Sequence, residues 1–145
     1  MNQERKSNMS YGFHHVALRV RDIEKSKKFY KEVLGFNEVI KFPHPWEKEI
    51  KEVVMLDSGD GNYLELFSNA PEDTIPNGAF FHVAFRADDV HGLYERVKAA
   101  GTPVAMEPKD ILLAGEVPTT VRAVFFKGPD GEEIEFCQLL SGVKL

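Results

Sequence analysis

The sequence predicts an α+β protein in which two βαβββ modules form one domain, with a curved mixed sheet and the helices on its outer face. Three observations carry that prediction. Phe13–Ile23 (FHHVALRVRDI) repeats as Phe80–Val90 (FFHVAFRADDV) at an offset of 67, that is 80 minus 13, and self-similarity over a long offset marks a duplicated unit. Each copy then runs through an Asp, an apolar stripe at helical spacing and a glycine. After each helix come three short β-like runs separated by turn residues.

The elements follow in order. In copy one, Asp22 is placed to cap a helix whose stripe is Ile23, Phe29, Tyr30, Val33 and Leu34, and Gly35 stops it. In copy two the equivalents are Asp89, then Val90, Leu93, Tyr94 and Val97, then Gly101. The strand candidates are 38–42, 52–57 and 62–68 in the first copy, and 104–106, 119–127 and 132–139 in the second. Ser58-Gly59-Asp60-Gly61 and Gly128-Pro129-Asp130-Gly131 are rich in residues that reverse a chain with little strain. Pro71, Pro76, Asn77 and Gly78 make 69–78 an irregular linker. The expected organisation is therefore a disordered extension at 1–10 and one domain over 11–142, with modules at about 11–69 and 78–140.

Composition narrows the function. A chain of 145 residues can bury a real core. A net charge of −5, with no basic cluster denser than Lys25, Lys27 and Lys28, gives no footprint for nucleic acid or anionic lipid. There is no apolar run of spanning length and no secretory h-region in Met1–Ser10, so a cytoplasmic location is expected. The single cysteine, Cys137, excludes an intramolecular disulfide and a thiolate metal cluster. Any metal must be held by His, Glu or Asp.

Strand parity selects the candidates. Side chains two apart share a face, so His15, Ala17 and Arg19 lie opposite the apolar, helix-facing Val16, Leu18 and Val20. His82, Ala84 and Arg86 reproduce the pattern. In YLELF, Glu65 and Phe67 are opposite Leu64 and Leu66; in EIEFC, Glu135 and Cys137 are opposite Ile134 and Phe136. A lone strand Glu is ordinarily solvent-facing and a lone His ordinarily sits in a core or rim. Here two His and two Glu share the non-helix face at equivalent positions of a duplicated chain. His15, Glu65, His82 and Glu135 are therefore the expected ligands of one divalent transition metal per site; imidazole and carboxylate suit Zn, Ni, Co, Mn or Fe(II). His14 takes the helix-facing parity, and His44 and His91 read as surface residues. Cys137 reads as a small apolar residue, not a nucleophile.

The motifs HVALRV, FYKEVLGF, LELFSN, FHVAF and FFKGPDGEEIEF resemble the bacterial-type glyoxalase I (lactoylglutathione lyase) branch of the vicinal oxygen chelate superfamily, over about Phe13–Gln138. The resemblance places the four metal ligands on the same His15, Glu65, His82 and Glu135. It implies that Arg19 and Asn69 contact a thiol-bearing substrate. It also implies conversion of a methylglyoxal–thiol hemithioacetal to a lactoyl thioester, with Glu135 as the base, Glu65 the second candidate, and Ni or Zn as the first metals. Phe67, Trp46 and Met106 are candidate pocket walls, and 43–52 is either a flap or an anchored loop. Where the family has a basic, glycine-rich stretch that helps hold glutathione, Ala114–Thr120 carries Glu116 and Pro118, so glutathione and another thiol both stay open. A metal-dependent epimerase, a thiol transferase, a dioxygenase and a non-catalytic drug-binding module are the alternatives. A homodimer is expected, with the site either within one chain or between two.

Overall fold

The computed structural model describes residues 13–74 and 81–145, so the extension at 1–10 and part of the linker lie outside the described residues. Module one contains β1 (His15–Arg19), α1 (Ile23–Lys28), β2 (Asn37–Phe42), β3 (Val53–Asp57) and β4 (Tyr63–Phe67). Module two contains β5 (Val83–Arg86), α2 (Val90–Ala99), β6 (Val104–Leu113), β7 (Thr119–Lys127) and β8 (Glu133–Ser141). Both aspartates cap as expected. Asp22 Oδ1 accepts from Lys25 N at 3.1 Å and Asp89 Oδ1 from Gly92 N at 3.0 Å, satisfying amide donors that a first helical turn leaves without partners. The first helix ends in a π-helical turn, Phe29–Val33, which periodicity alone does not distinguish from α-helix.

The mixed sheet is present as two four-stranded sheets, ordered β1-β4-β3-β2 and β5-β8-β7-β6, each with one parallel pair. Their registers repeat as the sequence does: Ala17 lies beside Glu65, and Ala84 beside Glu135. β6 is much longer than the expected 104–106. Pro108 and the charged residues around it mask the strand, but Pro108 falls within a register shift between Met106 and Lys109, where a missing amide donor does least harm.

The core lies on the helix-facing parity of both sheets. Leu56, Leu64 and Leu66 from module one join Val124, Phe126, Ile134 and Phe136 from module two in one buried cluster with Val20, Tyr30, Val90 and Val97. Burying each large apolar side chain contributes roughly 1.5–3 kcal/mol. Phe36 packs edge-on against Phe85 across the module boundary, at 5.1 Å between ring centroids.

A polar clasp reinforces that boundary. The buried Tyr30 hydroxyl donates to Glu132 Oε1 at 2.9 Å, and Glu132 Oε2 accepts from Asp130 N at 2.8 Å. Asp130 Oδ1 accepts from Arg21 N at 2.9 Å, and the Arg21 guanidinium also donates to the carbonyls of Glu72 and Thr74 in the linker. Glu132 is only 6% exposed. Burial raises its carboxyl above the usual range, against the pull of its hydrogen bonds, and burial with the Glu132 charge holds the Tyr30 hydroxyl well above its ordinary value. Gly128 is required beside it, because a Cβ there would run into the Glu132 side chain. No helix among the described residues is long and apolar enough to cross a membrane.

Candidate metal centre

The faces away from the core carry the four candidate ligands, as two separate pairs. His15 Nε2 lies 3.5 Å from Glu65 Oε1 in module one, and His82 Nε2 lies 3.8 Å from Glu135 Oε1 in module two. Those separations are long for a hydrogen bond. Two donors held about 2.1 Å from one ion stand roughly 3 to 3.6 Å apart, depending on the bond angle. The His15–Glu65 pair falls within that span and the His82–Glu135 pair stands slightly wider, and the imidazole–carboxylate chemistry of both suits Zn, Ni, Co, Mn or Fe(II). Of the two arrangements the sequence leaves open, within one chain or between two, the chain by itself does not bring all four together: among the described residues, no group of three or more His, Cys, Asp or Glu side chains is placed to hold one ion. The physical reason is that the modules meet through their helix-facing sides, so each ligand pair is fixed by its own sheet.

The two pairs have different surroundings. His14 Nδ1 and His15 Nδ1 are 2.9 Å apart, and His14 also packs against the Tyr63 ring at 5.3 Å. The assignment of His14 to the helix side is thus corrected: it sits at the start of β1, exposed, where the strand's alternation has not yet begun. If His15 keeps the Nε2 lone pair for a metal, its Nδ1–H donates to His14, and such an outer hydrogen bond fixes ligand tautomer and ring orientation. His82 instead lies between aromatic rings, with Phe81 and Phe125 each at 5.2 Å.

Across each sheet the ligand row continues with side chains that strand parity on β1, β4, β5 and β8 did not reveal. Met55 is opposite Glu65, and Phe125 is opposite Glu135. Extending parity to the antiparallel neighbours β3 and β7 would have found both. Met106, half-buried, lies beside Phe125 and so two strands from Glu135. Phe67 is half-buried on β4 beside the exposed Arg19, and Asn69 is exposed with φ 78°, a left-handed conformation that Asn tolerates better than most residues.

The loop before β3 differs from expectation. His44 is half-buried, not a plain surface residue. Its Nδ1 accepts from Glu47 N at 3.0 Å, and its ring lies 4.7 Å from Trp46 and 5.8 Å from Phe67. Trp46 is 75% exposed, so it does not anchor the loop; buried Ile50 does. Cys137 is half-buried, and burial together with the Glu135 charge pushes its thiol up, which keeps it protonated and unreactive.

Residues 12–136 match the sequence profile of the glyoxalase/bleomycin resistance protein/dioxygenase superfamily. The chain belongs to that superfamily. It is 37% identical over 132 residues to a lactoylglutathione lyase of Neisseria meningitidis, an alignment covering 88% of this chain and 91% of that protein. A glyoxalase I variant from Zea mays superposes with a TM-score of 0.69 at 26% identity, covering 86% of this chain and 44% of that one. TnmS3, an antibiotic-binding protein from Streptomyces sp. CB03234, superposes with a TM-score of 0.70 at 24% identity over 92% of this chain and 99% of its own. That last likeness is one of fold alone, and a shared fold does not fix function.

Proposed function

We propose that the chain is a metal-dependent glyoxalase I-like lyase that isomerises a 2-oxoaldehyde–thiol hemithioacetal to a 2-hydroxyacyl thioester, and that it works as a homodimer. The observation that carries this reading is the duplicated His–Glu pair, at 3.5 and 3.8 Å, in a chain 37% identical to a lactoylglutathione lyase. The homodimer follows from the incomplete halves. His15 and Glu65 of one protomer would meet His82 and Glu135 of its partner, giving four protein ligands to hold a divalent ion. β1 and β5 are both edge strands, with Val16, Phe13 and Phe81 exposed beside them, and unpaired edges of this kind favour pairing with another chain.

Bound there, a divalent ion would supply Lewis acidity to the two neighbouring oxygens of the substrate. The chain does the remaining work. Glu135 takes the carbon-bound proton of the adduct and returns it to the adjacent carbon. Phe125 and Met106 wall that side, and Phe67 and Met55 wall the other, limiting water at the reacting carbons. Arg19 and Asn69 hold the thiol portion. The raised Cys137 thiol stays neutral and does not compete as a nucleophile.

One observation favours a thiol other than glutathione as a second reading. Arg122, in the β6–β7 hairpin, is held bidentately by Asp110 at 2.7 and 3.1 Å, and the hairpin tip presents Glu116. Arg122 is thereby less available to a carboxylate-rich thiol.

The test is to strip the protein of metal, restore Ni, Zn, Co, Mn and Fe(II) in turn, and follow thioester formation from methylglyoxal premixed with glutathione or other low-molecular-weight thiols. Turnover that needs both metal and one thiol supports the reading. Metal binding without turnover on any thiol would leave the ligands standing and remove the lyase activity, making an epimerase, thiol transferase or dioxygenase the next reading.

A further inference from the structure

The densest basic cluster in the sequence, Lys25, Lys27 and Lys28, is split by the fold. Lys27 turns to Glu24 and Glu52, at 3.4 and 3.3 Å, and Lys31, further along, turns to Glu38 at 3.7 Å. Lys25 and Lys28 instead share a face with Phe29, since residues three and four apart on a helix are neighbours, and all three line the junction with module two. Both lysines are exposed, and neither has a carboxylate within ion-pair distance among the described residues.

The cavity they border has a volume of about 390 Å³, within the range of small-molecule pockets. Half-buried Phe29 and Val33 line it from module one and pack on the core cluster, so it lies on the helix side of the sheets, away from the faces that carry the His–Glu pairs. Module two supplies Pro103, the end of α2 at Ala100 and Gly101, and Lys127 from the end of β7. Lys127 is exposed too, and Glu133, opposite it in register, is beyond ion-pair distance. The repeat does not reproduce this set. At the offset of 67, Lys25 and Lys28 correspond to Gly92 and Glu95; at the offset of 70 between the two turns, that is 128 minus 58, Lys127 corresponds to Asp57. In a chain of net charge −5, the three cations are therefore particular to this junction and not a feature of the duplicated scaffold.

The lining defines the ligand's chemistry. Unpaired ammonium groups bind phosphate as point charges, an aromatic ring offers a nucleobase a stacking surface, and the end of a helix leaves its last carbonyls without intrahelical partners, open to hydroxyl or amino donors. We propose that this cavity is a binding site for a nucleoside diphosphate, with its phosphates at Lys25, Lys28 and Lys127 and its base on Phe29 and Pro103. A fatty acid would bring one negative charge to three cations and no donor to the carbonyls. The bound nucleotide joins α1 to module two beside Gly128 and Pro129, the turn that leads into the Tyr30–Glu132 clasp, and so holds the module boundary together. The site uses neither His–Glu pair and does not depend on the lyase reading.

The experiment is calorimetry with ADP on the nickel-loaded protein, repeated after a chelator has removed the metal. The expected result is one ADP per chain in both forms, with adenosine and inorganic pyrophosphate each binding at least tenfold more weakly and decanoate failing to compete. The double variant Lys25→Gln/Lys28→Gln weakens ADP binding at least tenfold, while Lys31→Gln, on the lysine that turns to Glu38, leaves it unchanged. ADP also raises the thermal midpoint of the unmodified protein and not that of the double variant, whose midpoint without ADP and nickel content are those of the unmodified chain. Four results would overturn the proposal. Binding that requires nickel places ADP on the metal, pyrophosphate as tight as ADP leaves an adventitious ion only, and displacement by decanoate makes the occupant a lipid carboxylate. No ADP binding, or an affinity that survives the double variant, removes the site.

Discussion

If each metal centre takes His15 and Glu65 from one protomer and His82 and Glu135 from its partner, two inactive variants should rescue each other. His15→Ala damages only module one, and Glu135→Gln damages only module two. In a homodimer of either variant, both centres are broken. In the mixed dimer, one centre combines the two damaged modules, and the other combines module one of the Glu135→Gln chain with module two of the His15→Ala chain, both intact. Random reassociation of equal amounts gives about half mixed dimers, each with one working centre of two, so about a quarter of the unmodified activity should return. The assay is co-refolding of the two variants from denaturant at equal concentration, followed by metal loading and thioester formation. An internal control uses His15→Ala with Glu65→Gln. Both lesions lie in module one, every centre in every dimer then contains one, and nothing should return. Activity that stays at the level of the separate variants would refute the shared centre and require the two pairs to meet within one chain.

Other outcomes follow from the same geometry. Tyr30→Phe leaves the buried Glu132 carboxylate without its 2.9 Å donor, which should cost about 2 kcal/mol and lower the thermal midpoint by about 6 °C for a domain of this size. The sign with pH is set by the raised Glu132 carboxyl: the fold favours its protonated form, that advantage is lost as pH rises through the folded value, and removing the donor hurts the ionised form most. Denaturant unfolding should therefore show a larger loss at pH 7.5 than at pH 5, and a loss independent of pH would be evidence against the clasp. His14→Ala should weaken metal binding roughly tenfold by releasing His15 Nδ1, with partial recovery in His14→Asn; an unchanged metal titration would return His14 to a bystander.

Much of this was open to reading in the sequence because it is local or periodic. HVALR and HVAFR show the duplication directly, Asp22 and Asp89 announce their caps, and alternation in YLELF and EIEFC assigns Glu65 and Glu135 to the ligand face. What escaped depends on contacts between distant segments or on breaks in period. Tyr30 and Glu132 are 102 residues apart, and nothing local distinguishes Glu132 from its half-buried neighbour Glu133. Pro108 and its polar neighbours hid most of β6, since a proline at a bulge reads like a strand end. His14 was misplaced because parity holds only inside a strand. Parity also assigns a side chain to one face of its sheet without saying which way that sheet looks toward another, so facing four candidate ligands away from the core did not reveal that they stand in two pairs.

The unequal surroundings of the pairs bear on how the proposed centre would divide work between its two carboxylates. His15 is braced through Nδ1 by His14, which fixes the ring that accompanies Glu65. His82 has only aromatic neighbours, Phe81 and Phe125, and no hydrogen bond to its ring among the described residues. If the pairs hold a metal as proposed, the Glu65 side would be the rigid half of the centre. The Glu135 side has Phe125 and Cys137 as neighbours on its face and a histidine without a hydrogen-bonded brace, so on the proposed reading Glu135 would be the carboxylate free to carry a proton. Glu65→Gln should then reduce metal affinity more than Glu135→Gln does, and Glu135→Gln should reduce kcat more at saturating metal. Measuring metal dissociation constants and kcat on both variants separates the roles, and equal losses in the two quantities would mean that the duplicated carboxylates still act as equivalents.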